Sequence, residues 1–162
     1  MSSKTFRSVV VCLLLAPVTL MAASGTVVCA KAEKESNIEI PDQPGHVYAI
    51  SQSKCSWTKA MEIGDTKHNA GVVSAFDEIT GTSAKGHGSY VDTLANGDTA
   101  VYTYTSTGTL KDGALQTAES TFTLVSVTGK LKGTKGNGKC KGTGAADGSV
   151  TWECQGTYQV PK

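Results

Sequence analysis

Between residues 150 and 160 the chain alternates without a break. Val150, Trp152, Cys154, Gly156, Tyr158 and Val160 fall on one side of a two-residue repeat; Thr151, Glu153, Gln155, Thr157 and Gln159 fall on the other. That period is the signature of a half-buried β-strand, so the first set must face an apolar interior and the second water. Ala100, Tyr102, Tyr104 and Leu110 form a similar face opposite Thr99, Thr103, Thr105, Thr107 and Thr109, with Val101 the exception on the polar side. Phe122 and Leu124 point inward from the next strand, while Val125 and Val127 leave apolar surface outside. Around Cys140 the division is chemical: Lys135, Asn137, Lys139 and Lys141 alternate with Gly136, Gly138, Cys140 and Gly142. A run of lysines cannot face a core, so the glycine and cysteine row must. Inward glycines leave a groove that a bulky neighbour has to fill, and Trp152 and Tyr158 on the following strand are the candidates.

Helical periodicity is almost absent. Thr, Ser, Val and Gly dominate, residues that lose out in helix interiors and suit pleated surfaces and turns. One stretch, Thr58 to Ile63, reads as a single helical turn. Asn96-Gly97, Asp112-Gly113 and Asp147-Gly148 are dipeptides that tolerate the positive φ of hairpin turns, with softer breaks at Gly64-Asp65, Gly81 and Thr128-Gly129. Long strands joined by tight turns predict an all-β fold, an up-and-down antiparallel barrel of about eight strands, which removes its own exposed edges by closing.

The N-terminus gives an address. Lys4 and Arg7 precede an apolar run from Val9 to Ala23, broken by Pro17 and followed by Ser24 and Gly25, the layout of a secretory signal. Ala30-Lys31-Ala32 is a small-x-small triplet before a polar stretch, which places cleavage after Ala32; cuts after Ala30 or after Ser24 are the alternatives. Pro17, Ser24 and Gly25 interrupt the continuous apolar stretch that a membrane-spanning helix needs, so no stable span is expected after cleavage. Residues 1–32 thus read as signal peptide, 33–45 as a flexible linker and 46–162 as the barrel. Removing the leader leaves 12 basic against 14 acidic residues, a charge of −2, and export places the protein in a secreted or periplasmic compartment. A nucleic-acid partner is disfavoured, since such domains carry a large positive charge on one face.

The stretch from Val127 to Gly138 (VTGKLKGTKGNG), with the hairpin to Trp152 and Gly156-Thr157-Tyr158, resembles a recurring segment of the allene oxide cyclase-like and dirigent-like barrels, including secreted bacterial members. The resemblance implies an eight-stranded antiparallel barrel with an apolar interior.

Of the cysteines left after cleavage, Cys154 pairs with either Cys140 or Cys55. Cys140 faces it across the Asp147-Gly148 turn, and Cys55 meets it if the first and last strands close the barrel. Without histidines at ligand spacing these thiols do not read as a metal set; no metal and no cofactor are expected. His46, His68 and His87 are scattered, and His87, between two glycines, reads as loop or bulge. Asp77 and Glu78 end an apolar strand, so one of them faces inward, and a carboxylate buried there has its pKa raised, which is how a general acid or base is made. They are the catalytic candidates, with Tyr104. Tyr102, Tyr104, Phe122, Trp152 and Tyr158 are the ligand-wall candidates. Lys130, Lys132, Lys135, Lys139 and Lys141 read as a solvated outer face. No nucleophile elbow, phosphate loop or dinucleotide fingerprint is present.

Three functions remain: a non-catalytic barrel that holds a small apolar or amphipathic molecule or serves the envelope; an isomerase or lyase that moulds a reactive substrate, using Glu78 or Asp77 and a tyrosine; and a homo-oligomeric surface protein contacting through Val125 and Val127. A cavity of about 300 Å³ or more with an inward carboxylate separates the first two from a purely structural role.

Overall fold

A computed structural model describes residues 18–41 and 43–161. Its strands are β1 (Val18–Cys29), β2 (Lys34–Glu39), β3 (His46–Lys59), β4 (Glu62–Ile63), β5 (Thr66–Thr80), β6 (Ser83–Leu94), β7 (Thr99–Lys111), β8 (Ala114–Val127), β9 (Lys135–Gly144) and β10 (Val150–Pro161), with a 3-10 turn at Gly129–Leu131. Eight of them close a barrel in the order β3-β1-β10-β9-β8-β7-β6-β5, and β5 pairs back onto β3. β2 continues the line of β1 along β3, and β4 folds back on β5. Every pairing is antiparallel, and each of the strands from β5 to β10 lies beside its chain neighbour, so tight turns suffice to connect most of them. At the β7–β8 turn Asp112 and Gly113 both take positive φ, 52° and 78°, as a two-residue hairpin requires.

The alternation of β10 and β9 holds. Tyr158 pairs with Gly136 and Trp152 with Gly142, and the six-membered ring of Trp152 lies over Gly142, where a Cβ would meet it at 2.8 Å. Phe122 covers Gly138 in the same way. The glycine row is therefore a groove filled by rings from both neighbouring strands, by Trp152 and Tyr158 as the sequence implies and by Phe122 in addition.

Three expectations are corrected. The β7–β8 register slips between Val101 and Tyr102, and a bulge reverses the faces beyond it: Val125 is 58% exposed, but Val127 is 5% exposed and belongs to the core. Thr58 to Ile63 is not helical; it ends β3 and forms β4. His87 lies in β6, exposed on the outer face beside Phe76, with ring centres 5.2 Å apart. Beyond these corrections, two segments from the regions that the sequence assigns to leader and linker form strands in the folded chain. Val18–Cys29 runs along β10 for its whole length, and its end, Thr26–Cys29, also pairs with β3; Lys34–Glu39 is an exposed strand on β3. The apolar, β-branched composition of residues 18–29 suits a strand as well as an export leader, and periodicity alone cannot separate the two.

The same strand resolves the cysteines. Cys140 and Cys154 are joined, their Cα atoms 4.0 Å apart across the hairpin. Cys55 does not reach Cys154, because β1 stands between the first and last strands of the predicted barrel; its partner is Cys29. Among the described residues no helix is long and apolar enough to cross a membrane.

Candidate functional site in the barrel interior

The barrel is packed at one end and hollow toward the other. Met61, Ile63, Leu94, Ala100, Val127 and Leu131 are buried together where β4 and the 3-10 turn cap the interior. Toward the opposite end the inward positions carry Ser51, Ser53, Ala75, Ala84, Ser106, Ala118 and Ser120, and their small side chains leave a cavity of about 440 Å³. Lys31, Glu35, Leu110 and Gly113 stand at its mouth. Its walls are mostly apolar, with Val73, Phe122, Trp57 and Trp152 among them.

Two polar stations face this space. The first, nearer the mouth, is Asp77. In the β3–β5–β6–β7 register it shares a row with Ala49, Gly86 and Ser106, and its carboxylate lies over Gly86, where any Cβ would strike it. Among the described residues Asp77 has no hydrogen-bond or ion-pair partner. Burial raises its pKa above the ordinary carboxylate range, an effect opposed by the positive charge His87 can carry. Tyr104 is the neighbouring hydroxyl; burial first and the Asp77 charge second hold its pKa well above that of a free phenol. Asp77 and Tyr104 are both candidates named from the sequence, and the structure brings them together on the cavity wall.

Glu78, the third candidate, faces the other way. It accepts from Tyr48 Oη at 3.3 Å and lies 2.9 Å from His46 Nε2 on the outside of the barrel, where Tyr48 also stacks on Phe76. Alternation allows only one of two consecutive residues to point inward, and here it is Asp77.

The second station lies deep and was not legible as a motif. His68 and Asp92, both buried, are hydrogen-bonded through Nδ1 and Oδ2. Tyr90 donates to Asp92 Oδ1 at 3.2 Å and accepts from Trp57 Nε1 at 3.1 Å. Tyr102 Oη lies 3.3 Å from His68 Nε2 and 3.3 Å from Tyr158 Oη. A continuous chain of polar atoms thus runs Trp57–Tyr90–Asp92–His68–Tyr102–Tyr158 through the base of the barrel, and each side chain of this network finds a partner within it. Burial raises the pKa of Tyr90 and Tyr102; that of Tyr158 is pushed up to about 12, by burial first, with the hydrogen bond to Tyr102 working against it. All three are neutral phenols at physiological pH.

Of the wall residues expected from sequence, Tyr102, Tyr104, Phe122 and Trp152 line the cavity. Tyr158 does not; it is 0% exposed, packed beneath the cavity, and reaches the ligand space only through Tyr102. His68 and Asp92 are 24 residues apart, and a bulge between His68 and Ala70 sets the histidine in place. The one readable signal was an Asp on the inward period of Tyr90 and Leu94. Among the described residues no group of three or more His, Cys, Asp or Glu is placed to hold a metal ion.

No family model matches this chain, and neither does any curated protein. Among solved structures it is similar to a pterocarpan synthase dirigent protein, with 10% sequence identity over 98% of this chain and 100% of that one and a TM-score of 0.51. At that identity the likeness concerns the fold: this chain folds as a dirigent-like β-barrel.

Proposed function

We propose that this protein is an exported barrel that takes a small amphipathic molecule through its open end and imposes a shape on it. The cavity carries this reading. A barrel of eight strands can fill its interior with side chains, and this one leaves about 440 Å³ unfilled, with apolar walls and a carboxylate that has no partner among the described residues, the size and make-up of a small-molecule site. The dirigent-like fold supports the same reading. Two disulfides within one small domain support export into an oxidising compartment, secreted or periplasmic.

A second reading is favoured by Asp77. A carboxyl with raised pKa beside a tyrosine hydroxyl, in a space open to a ligand, is equipped to move a proton. The barrel would then be an isomerase or lyase, with Asp77 and Tyr104 as its acid and base groups. The homo-oligomer reading keeps only Val125 of its contact pair.

Binding is tested with N-phenyl-1-naphthylamine, an apolar fluorophore that brightens on leaving water. The folded, oxidised protein should brighten it with quenching of Trp57 and Trp152, and Ala75→Phe, which places a ring in the cavity, should abolish the signal while the thermal melt stays cooperative. Absence of binding to the wild type, or binding that survives Ala75→Phe, overturns the proposal.

A further inference from the structure

We propose that the cavity is a two-ended reader: its occupant is an elongated molecule with a hydrogen-bonding group at each end and an apolar body between. This rests on the ligand-binding reading above and names the ligand class. Asp77 stands in the row of Ser106, and Tyr90 and Tyr102, the tyrosines of the deep station that line the cavity, share a row four residues along the same strand. Four residues of strand span ~13 Å, or roughly 10 Å along the axis of a barrel whose strands tilt by about 40°. Between the two rows lie Ser51 on β3, Ala75 on β5, the ring of Tyr104 on β7 and Phe122 on β8, a belt that is apolar apart from the one serine hydroxyl. The stations differ in kind. Tyr102 belongs to a satisfied network, and its hydroxyl, with one donor and two acceptor sites against two contacts, offers spare hydrogen-bonding capacity at a fixed position. Asp77 is a carboxyl with no partner among the described residues, so a donor on the ligand's outer end satisfies a group the fold leaves open. A molecule polar at one end only would satisfy one station and leave the other.

The test compares 4,4′-biphenol, with a hydroxyl at each end, against 4-phenylphenol, which lacks one, by quenching of Trp57 and Trp152 in the oxidised protein. Biphenol should bind about tenfold tighter to the wild type, the ratio one added hydrogen bond to a charged group supports. Asp77→Leu should reduce that ratio to about one while leaving 4-phenylphenol bound, and Tyr102→Phe, checked for a cooperative melt, should reduce it likewise. Equal affinities in the wild type, or a ratio that persists in Asp77→Leu, overturn the two-ended reading. If N-phenyl-1-naphthylamine binds and neither phenol does, the two-ended reading fails alone; if none of the three binds, the ligand-binding proposal fails with it.

A different observation, the register of β1, carries a second inference about maturation. Val18–Ser24 pairs with β10 alone and runs past the end of β3, whereas Thr26–Cys29 bridges β10 to β3 and closes the barrel. Gly25 marks the crossing point, where a Cβ would come within 2.5 Å of the Lys59 carbonyl and 2.8 Å of the Met61 side chain. Cys29, four residues on, holds Cys55. A cut after Ala32 would remove both the closing strand and Cys55's partner. A cut after Ser24, where Ala22 and Ser24 supply the small-x-small pattern, removes neither. We infer that the leader ends at Ser24 and that the mature chain begins at Gly25 with both disulfides retained. Intact mass spectrometry of the full chain recovered from an exporting bacterial host should give a chain starting at Gly25 that gains four hydrogens on reduction. A start at Glu33 with a gain of two, or an uncut chain, overturns the inference.

Discussion

The two ends of this barrel obey the same strand alternation, yet one, closed over by β4 and the 3-10 turn, is a core and the other a container. At the capped end the inward residues are Tyr158, Ile63, Leu94 and Met61, each 2% exposed or less. Toward the mouth the barrel strands turn serine, alanine and glycine inward: Ser51 and Ser53 on β3, Ala75 on β5, Gly86 and Gly88 on β6, Ser106 and Gly108 on β7. The strand geometry is common to both ends, so side-chain volume, together with the cap that β4 and the 3-10 turn lay over one end, decides where the cavity opens. Stability should therefore reside at the capped end and ligand recognition at the open one.

The sharpest way to break that division is to compare the two inward aspartates. Asp92 is 0% exposed, accepts from Tyr90 and is paired with His68. Removing one member of a buried hydrogen-bonded pair leaves the other unsatisfied, so Asp92→Ala should cost about 3 to 5 kcal/mol. Asp77 has no such partner, and Asp77→Ala should cost less than about 1 kcal/mol. Urea unfolding of the two variants measures both. Comparable losses would mean that the ends are not energetically distinct.

A milder form of the comparison uses apolar volume. Ile63→Ala empties a fully packed site and should destabilise by roughly 2 to 4 kcal/mol. Ala75→Leu adds volume where space already exists and should change stability by less than about 1 kcal/mol, because no neighbour has to move. If Ala75→Leu destabilised as much as Ile63→Ala, the open end would be packed in solution and the cavity would not be available to a ligand.

How far these regions could be read from sequence follows from how local their signals are. The β9 and β10 faces were legible because Gly136, Gly138 and Gly142 alternate with lysines and Tyr158 alternates with glutamine and threonine, an uninterrupted two-residue code. Val127 was misread because one bulged residue reverses the faces beyond it, and nothing in Leu124-Val125-Ser126 marks a bulge. β1 was not legible as a strand because an apolar run before a small-residue triplet suits export machinery and a barrel wall alike; with Cys29 counted in the leader, the choice of Cys140 or Cys55 for Cys154 stayed open and the Cys29–Cys55 bridge was out of view. On the site, Asp77 and Tyr104 were legible because an acid at the end of an apolar strand must choose a face. The His68–Asp92 pair was not, since its geometry exists only once β5 and β6 are in register.

The smallest expected effect is also the most specific to the open end. Burial raises the pKa of Asp77 in the folded state, so folding favours its protonated form. The stability tied to that proton is fully present below the ordinary carboxylate range, near pH 4, and is lost as pH rises through the raised folded value. Asp77→Asn cannot ionise and does not suffer this loss. Wild type and variant should be equally stable at about pH 3, and the variant should gain on the wild type as pH rises, reaching a plateau of under about 1 kcal/mol above the folded pKa because the site is partly open to water. Melting temperatures of the pair across that range measure the difference. An Asp77→Asn variant that is less stable than the wild type at pH 7 and equal to it at pH 3 would reverse the sign, and would mean that the carboxylate has a partner that favours its charge. A ligand donor is the group expected to supply one, so adding 4,4′-biphenol at pH 7 should shrink the variant's advantage while leaving the pair unchanged at pH 3.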